Sequence, residues 1–137
     1  MALVEIRGAL EKQIKTYVGS KALSFVPENV STIPTGNYVK VVLGDIGVAD
    51  PSLGVVHQRY RGIMRVTVYL KNLNNGITPI MTVAEEIRDL FYRGLQLTKS
   101  GVVVQIPNTP EIRSPGYSEG YIYLAVDIPF RCDIIKN

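Results

Sequence analysis

Val55-Val56-His57-Gln58-Arg59-Tyr60-Arg61-Gly62-Ile63-Met64-Arg65-Val66-Thr67-Val68-Tyr69-Leu70-Lys71 decides the fold. Val56, Tyr60, Met64, Val66, Val68 and Leu70 share one parity with Gly62, and Arg59, Arg61, Arg65, Thr67 and Lys71 share the other. Alternation with period two over this length predicts a long strand with one buried face and one face toward solvent or a partner.

Tyr121 to Ile134 alternate in the same way. Ile122, Leu124, Val126, Ile128, Phe130, Cys132 and Ile134 are expected to face in, and Tyr123, Asp127, Arg131 and Asp133 out. Shorter strands are predicted at Tyr38–Leu43 and Val102–Ile106. Leu3, Ile6, Leu10, Ile14 and Tyr17 recur at spacings of three and four, which predicts an amphipathic helix over 2–18 ended near Gly19. A second helix starts at Thr78, with Thr78 as N-cap and Pro79 at the first helical position, and stops at Gly94. Ile80, Ala84, Ile87 and Phe91 form its apolar face. Phe25-Val26-Pro27 suggests a short extended piece. Residues 44–54 and 108–120 bear glycines and prolines; the first is expected to be a long connection and the second a hairpin arm with a flexible tip, both mobile in the free subunit and ordered on assembly. Residues 72–76 make a turn.

Two helices cannot cover both faces of the sheet these strands form. The sequence therefore predicts a single α+β domain over 1–137, with both helices on one face of an antiparallel-rich, four-stranded sheet. At 137 residues with 46% apolar content, one such core needs no metal or disulfide staple. One Cys excludes an intrachain disulfide and a multi-thiolate zinc site. No apolar run approaches the ~18 residues of a membrane span, so no membrane partner is expected. The first residues carry an acid and no cleavable apolar region, which suggests synthesis in the cytoplasm.

Catalysis needs convergent groups, and the sequence offers few. His57 reads as an exposed strand-end histidine, and Cys132 as a small core hydrophobe. Glu85 and Glu86 are neighbours on a helix and diverge by about 100°, so they are no acid–base pair. Gly44-Asp45-Ile46-Gly47 lacks the ending of a phosphate loop. Neither an enzyme nor a cofactor or metal is expected. The formal charge of +3 is concentrated: 1–70 carry eight basic and five acidic residues, 71–137 seven of each. Without interleaved stacking aromatics this does not indicate sequence-specific nucleic-acid binding. The outward row Arg59, Arg61, Arg65 and Lys71, and the tyrosines Tyr117, Tyr121 and Tyr123, are instead candidates for an assembly interface. Asp127 and Asp133, or Glu85 and Glu86, are candidate complements on a neighbouring copy.

The order of segments goes further. Ile6-Arg7-Gly8-Ala9-Leu10-Glu11 is followed by Phe25-Val26-Pro27-Glu28-Asn29-Val30 and Tyr38-Val39-Lys40-Val41. Then come Arg61-Gly62-Ile63-Met64-Arg65-Val66-Thr67-Val68-Tyr69, Ala84-Glu85-Glu86-Ile87-Arg88-Asp89-Leu90-Phe91 and Ile128-Pro129-Phe130-Arg131. This order resembles the tail terminator, or tail completion, proteins of long-tailed bacteriophages, including the lambda minor tail protein U type. The resemblance implies a structural virion protein made in the bacterial cytoplasm. It would form a homo-oligomeric ring, commonly a hexamer, that caps the tail tube, stops its polymerisation and presents a surface for head joining. Its implied partners are further copies of itself, the tail tube protein and the head–tail connector or neck proteins. It implies no catalytic residues. A neck or head-completion protein is the alternative, with a nucleic-acid-binding module behind it.

Overall fold

The computed structural model describes residues 2–21, 23–28, 34–50, 56–71 and 76–136. Outside them lie residues 51–54 of the expected connection, 72–75 of the expected turn, the Asn29-Val30 pair and the side chain of Val56. In chain order the elements are α1 (Ala2–Ser20), β1 (Ser24–Val26), β2 (Tyr38–Ala49), β3 (Val56–Lys71), α2 (Thr78–Leu90), β4 (Gln96–Lys99), β5 (Val102–Gln105), β6 (Glu111–Ile112), β7 (Gly116–Ser118) and β8 (Tyr121–Lys136).

The long alternating segments pair with each other. β3 and β8 run antiparallel through sixteen registered residues, from Val56↔Lys136 to Lys71↔Tyr121. This pairing sets one side-chain row against its equal: Met64, Val66 and Val68 stand with Ile128, Val126 and Leu124, and all are buried. Val39 and Val41 of β2 extend the same row. Ile6, Leu10 and Ile14 of α1 and Ile80, Ala84 and Ile87 of α2 close over it in one core. Burial of such a face supplies the main driving force for folding.

The sheet is larger than the expected four-stranded one. Among the described residues it has eight strands in the order β1-β2-β3-β8-β5-β4, with β6 and β7 also on β8. It is mixed, because β1 pairs parallel to β2. The expected connection at 44–54 is strand as far as Ala49: three steps along β2 from Gly44 to Gly47 match two on β3 from Ile63 to Arg61. The extra residue is a β-bulge, with Asp45 at φ 52°, and the glycines serve this bulge rather than a loop. The expected arm at 108–120 is likewise no free hairpin. β6 and β7 pair successively along the edge of β8 and turn into it at Glu119-Gly120, both with positive φ, as a type I′ hairpin requires. The missed strand β4 enters β5 through the same kind of turn at Ser100-Gly101. At α2 the N-cap is Ile77, one residue before the expected Thr78, and the helix ends at Leu90 rather than Gly94. Gly94 instead donates its N–H to Ile106 O at 2.8 Å, extending the β4–β5 pairing.

Polar contacts fix the helices. Tyr17 of α1 donates to Glu86 of α2 at 2.6 Å; burial and this carboxylate push the Tyr17 phenol well above its usual range. Arg7 hydrogen-bonds Glu28, and Gln13 Nε2 donates to Leu90 O at 3.2 Å, satisfying a carbonyl of the last turn of α2. Gly62 lies under the Phe130 ring, where an added Cβ would meet ring carbon Cζ at 2.7 Å and Gly44 O at 3.0 Å. Gly62→Ala is expected to cost about 1–3 kcal/mol in urea unfolding, by overpacking. In a Phe130→Leu background the penalty should shrink; equal penalties in both backgrounds would show that the ring is not what fills this space.

Candidate functional site: the open face of the sheet

The parity that buries one face of β3 and β8 leaves the other uncovered by either helix. Cross-strand register then decides which charges meet. Arg65 stands opposite Asp127, and Arg59 opposite Asp133. Arg65 binds Asp127 with both fork positions, at 2.7 and 3.0 Å, and Arg113, from the segment after β6, adds a third bond at 2.7 Å. The Asp127 side chain is 6% exposed, and those of Arg65 and Arg113 are about half exposed. Hydrogen bonds from Arg65, joined by those from Arg113, hold the Asp127 carboxyl below the usual carboxylate range despite its burial. Asp133 takes Arg59 at 2.7 Å and His57 at 3.1 Å, with Arg131 at 3.8 Å. Burial alone would raise its pKa, but the bonds from Arg59 and His57 more than offset that.

The aspartates considered as complements on a neighbouring copy are thus already engaged within the chain, as is Glu86, which Tyr17 and Lys21 hold. His57, expected to be exposed, is 13% exposed on Asp133. Arg61 differs from its row. It is exposed, it has no ionic partner among the described residues, and the residue opposite it is Arg131. Arg131 is held by Gln105 Oε1 at 2.8 and 3.3 Å. Arg113, Arg131 and Gln105 were outside the candidate set, since only the register of β5, β6 and β8 shows that they belong to it.

Lys71 does not join this cluster. It lies ten residues along β3 from Arg61, roughly 33 Å, with its ammonium 4.3 Å from the centre of the Tyr121 ring. There the tyrosines form their own group. Tyr38 and Tyr69 stack at 4.5 Å, Tyr121 meets Tyr38 edge-on at 5.4 Å, and Tyr123 lies 5.8 Å from Tyr69. The Tyr121 hydroxyl donates to the carbonyl oxygens of Pro34 and Gly36, 3.1 Å from each, which ties that segment to the sheet. Tyr117 stands apart, 64% exposed. Beside the stacked rings, Val26, Tyr38, Lys40, Tyr69, Ser118, Glu119 and Tyr121 line a shallow hollow of about 240 Å³.

Cys132 is buried in the core, and burial pushes its thiol up. Among the described residues no group of three or more His, Cys, Asp or Glu could hold a metal ion, and no helix is long and apolar enough to cross a membrane. What the face offers is an excess of fixed guanidinium groups over carboxylates, which suits contact with an anionic surface.

One solved structure superposes on the whole chain with a TM-score of 0.79 at 21% identity, covering 100% of this chain and 99% of that one. A second, a chain from the virion of a native gene transfer agent particle, superposes with a TM-score of 0.59 at 15% identity, covering 98% of each. At these identities the likeness is one of fold. No curated protein matches the sequence. The family model for phage tail terminator protein matches residues 5–130, from the first turns of α1 through the core residue Phe130. The chain belongs to the phage tail terminator protein family.

Proposed function

We propose that the protein is the terminator of a phage tail. In this reading several copies, six in the expected ring, close head-to-tail on the end of the tail tube, stop its polymerisation and present a surface to the head–tail connector. The observation that carries the reading is the family match across residues 5–130. The whole-chain likeness in fold to a component of a gene transfer agent virion supports a place in a virion. The open face supports a contact role. Arg59 and Arg65 are fixed by their acids and Arg61 is left exposed, so this face carries positive charge into a contact while setting its register. Tyr117, exposed on β7, is a second contact candidate, since an aromatic ring with a polar end suits a protein interface. Tyr121, Tyr123 and Lys71 support that edge from within.

Negative-stain imaging of the purified protein, alone and mixed with tubes of the tail tube protein, tests the ring. Closed rings, free or seated on tube ends, are the expected result. Monomers in free solution together with bare tube ends would overturn it.

A further inference from the structure

We infer that the Arg61–Arg131 pair on the open face receives the Glu85–Asp89 stripe of α2 from the next copy of this chain. This rests on the ring reading above and supplies its contact.

Each half is unfavourable on its own. Arg61 and Arg131 stand directly opposite in the β3–β8 register, and like charges so placed destabilise a sheet. Elsewhere in the row the register sets acid against base, at Arg59↔Asp133 and Arg65↔Asp127. On the β2 side Arg61 faces Gly47, where an added Cβ would meet nothing within 4 Å, so no side chain flanks Arg61 there. Arg131 is oriented by Gln105 and lies 3.8 Å from Asp133, an acid that Arg59 and His57 already hold more closely. On α2, Glu85 and Asp89 are four residues apart and both exposed, on the side away from the buried Ile80, Ala84 and Ile87. Like charges at that spacing also destabilise a helix. Glu85 has no ionic partner among the described residues, and Asp89 has only Arg88, its neighbour in sequence, at 3.5 Å.

The two pairs match in spacing. Directly opposed strand residues have Cβ atoms about 4.5–5.5 Å apart, and helical i,i+4 residues about 5–6 Å. They also lie on opposite sides of one subunit, because α2 packs on the β3 and β8 face turned away from Arg61. A patch on one side and its complement on the other cannot meet by a two-fold axis. They meet head-to-tail, the kind of contact from which a ring is built when its rotation closes. A second copy is therefore the occupant that the charges and their placement favour, because this chain itself carries the acidic complement.

Charge reversal tests this, read by sedimentation and ring counts under conditions where the wild type assembles. Arg61→Glu should raise the half-assembly concentration at least tenfold, and so should Glu85→Arg with Asp89→Arg. Combining Arg61→Glu with Glu85→Arg should recover most of the loss. Raising salt from about 0.1 M to about 1 M, which shortens the screening length from ~10 to ~3 Å, should weaken wild-type assembly. Matching circular dichroism melts keep a folding defect separate. Unchanged assembly of Arg61→Glu, or no recovery in the combined variant, overturns the contact and leaves the ring standing. A wild type that never forms rings overturns the ring reading itself. Normal rings with lost binding to DNA or to the tube would give the arginine pair a different partner and overturn the inference.

Discussion

Phe130→Ala is expected to lower stability by about 3–5 kcal/mol, the largest loss from any single truncation proposed for this chain. Phe130 is 1% exposed at the centre of the β3–β8 pairing, with its ring edge over Gly62. Gly62 carries no side chain that could turn into the vacated space, and the surrounding strands are held by their register on both sides. The cavity would therefore relax little, and the cost should sit near the upper part of that range. For a domain of this size a thermal melt should fall by roughly 10–15 °C. A melt within a degree or two of wild type would contradict the packing of Phe130 into the face that the helices cover.

Asp127→Ala is expected to cost about 2–3 kcal/mol at neutral pH. The buried carboxylate accepts three charge-assisted bonds from Arg65 and Arg113, and its removal leaves the two guanidinium groups facing each other. Their half exposure lets them turn to water, which keeps the loss below that of a fully buried pair. The pH dependence has a definite sign. The folded-state pKa lies below the unfolded value of about 3.9, so the contribution is fully present above that value and is lost as pH falls through the folded pKa. Denaturant unfolding of wild type and Asp127→Ala should give a constant difference from about pH 7 to about pH 4, narrowing below it. A difference that grows toward acid would contradict the lowered pKa.

The elements legible in the sequence were those with a period. The alternation of β3 and β8 and the apolar stripe of α2 each state which residues face the core, and Met64, Val66, Val68, Ile122, Leu124, Val126, Ile128 and Phe130 are buried as that parity requires. What escaped was set by partners rather than by period. Gly44 and Gly47 look like loop residues until β3 is beside them and absorbs the bulge. Glu111-Ile112 and Gly116–Ser118 are too short to show any period, and become strands only along the edge of β8. The Ser100-Gly101 pair was the one local signal that could have revealed β4, through its type I′ turn. The candidate face was half legible for the same reason. Parity placed Arg59, Arg61 and Arg65 together on one side, but what stands opposite each of them follows from a register that no single strand encodes. That register separates Arg61, beside Arg131, from Arg59 and Arg65, which their acids hold.

If this chain ends a tail tube, the growth of that tube shows it. Tail tube protein polymerised in the presence of this protein should stop at a limited length, with one end capped and inert to added tube protein. Tubes that keep growing to the length distribution seen without it, with both ends free, would contradict the account.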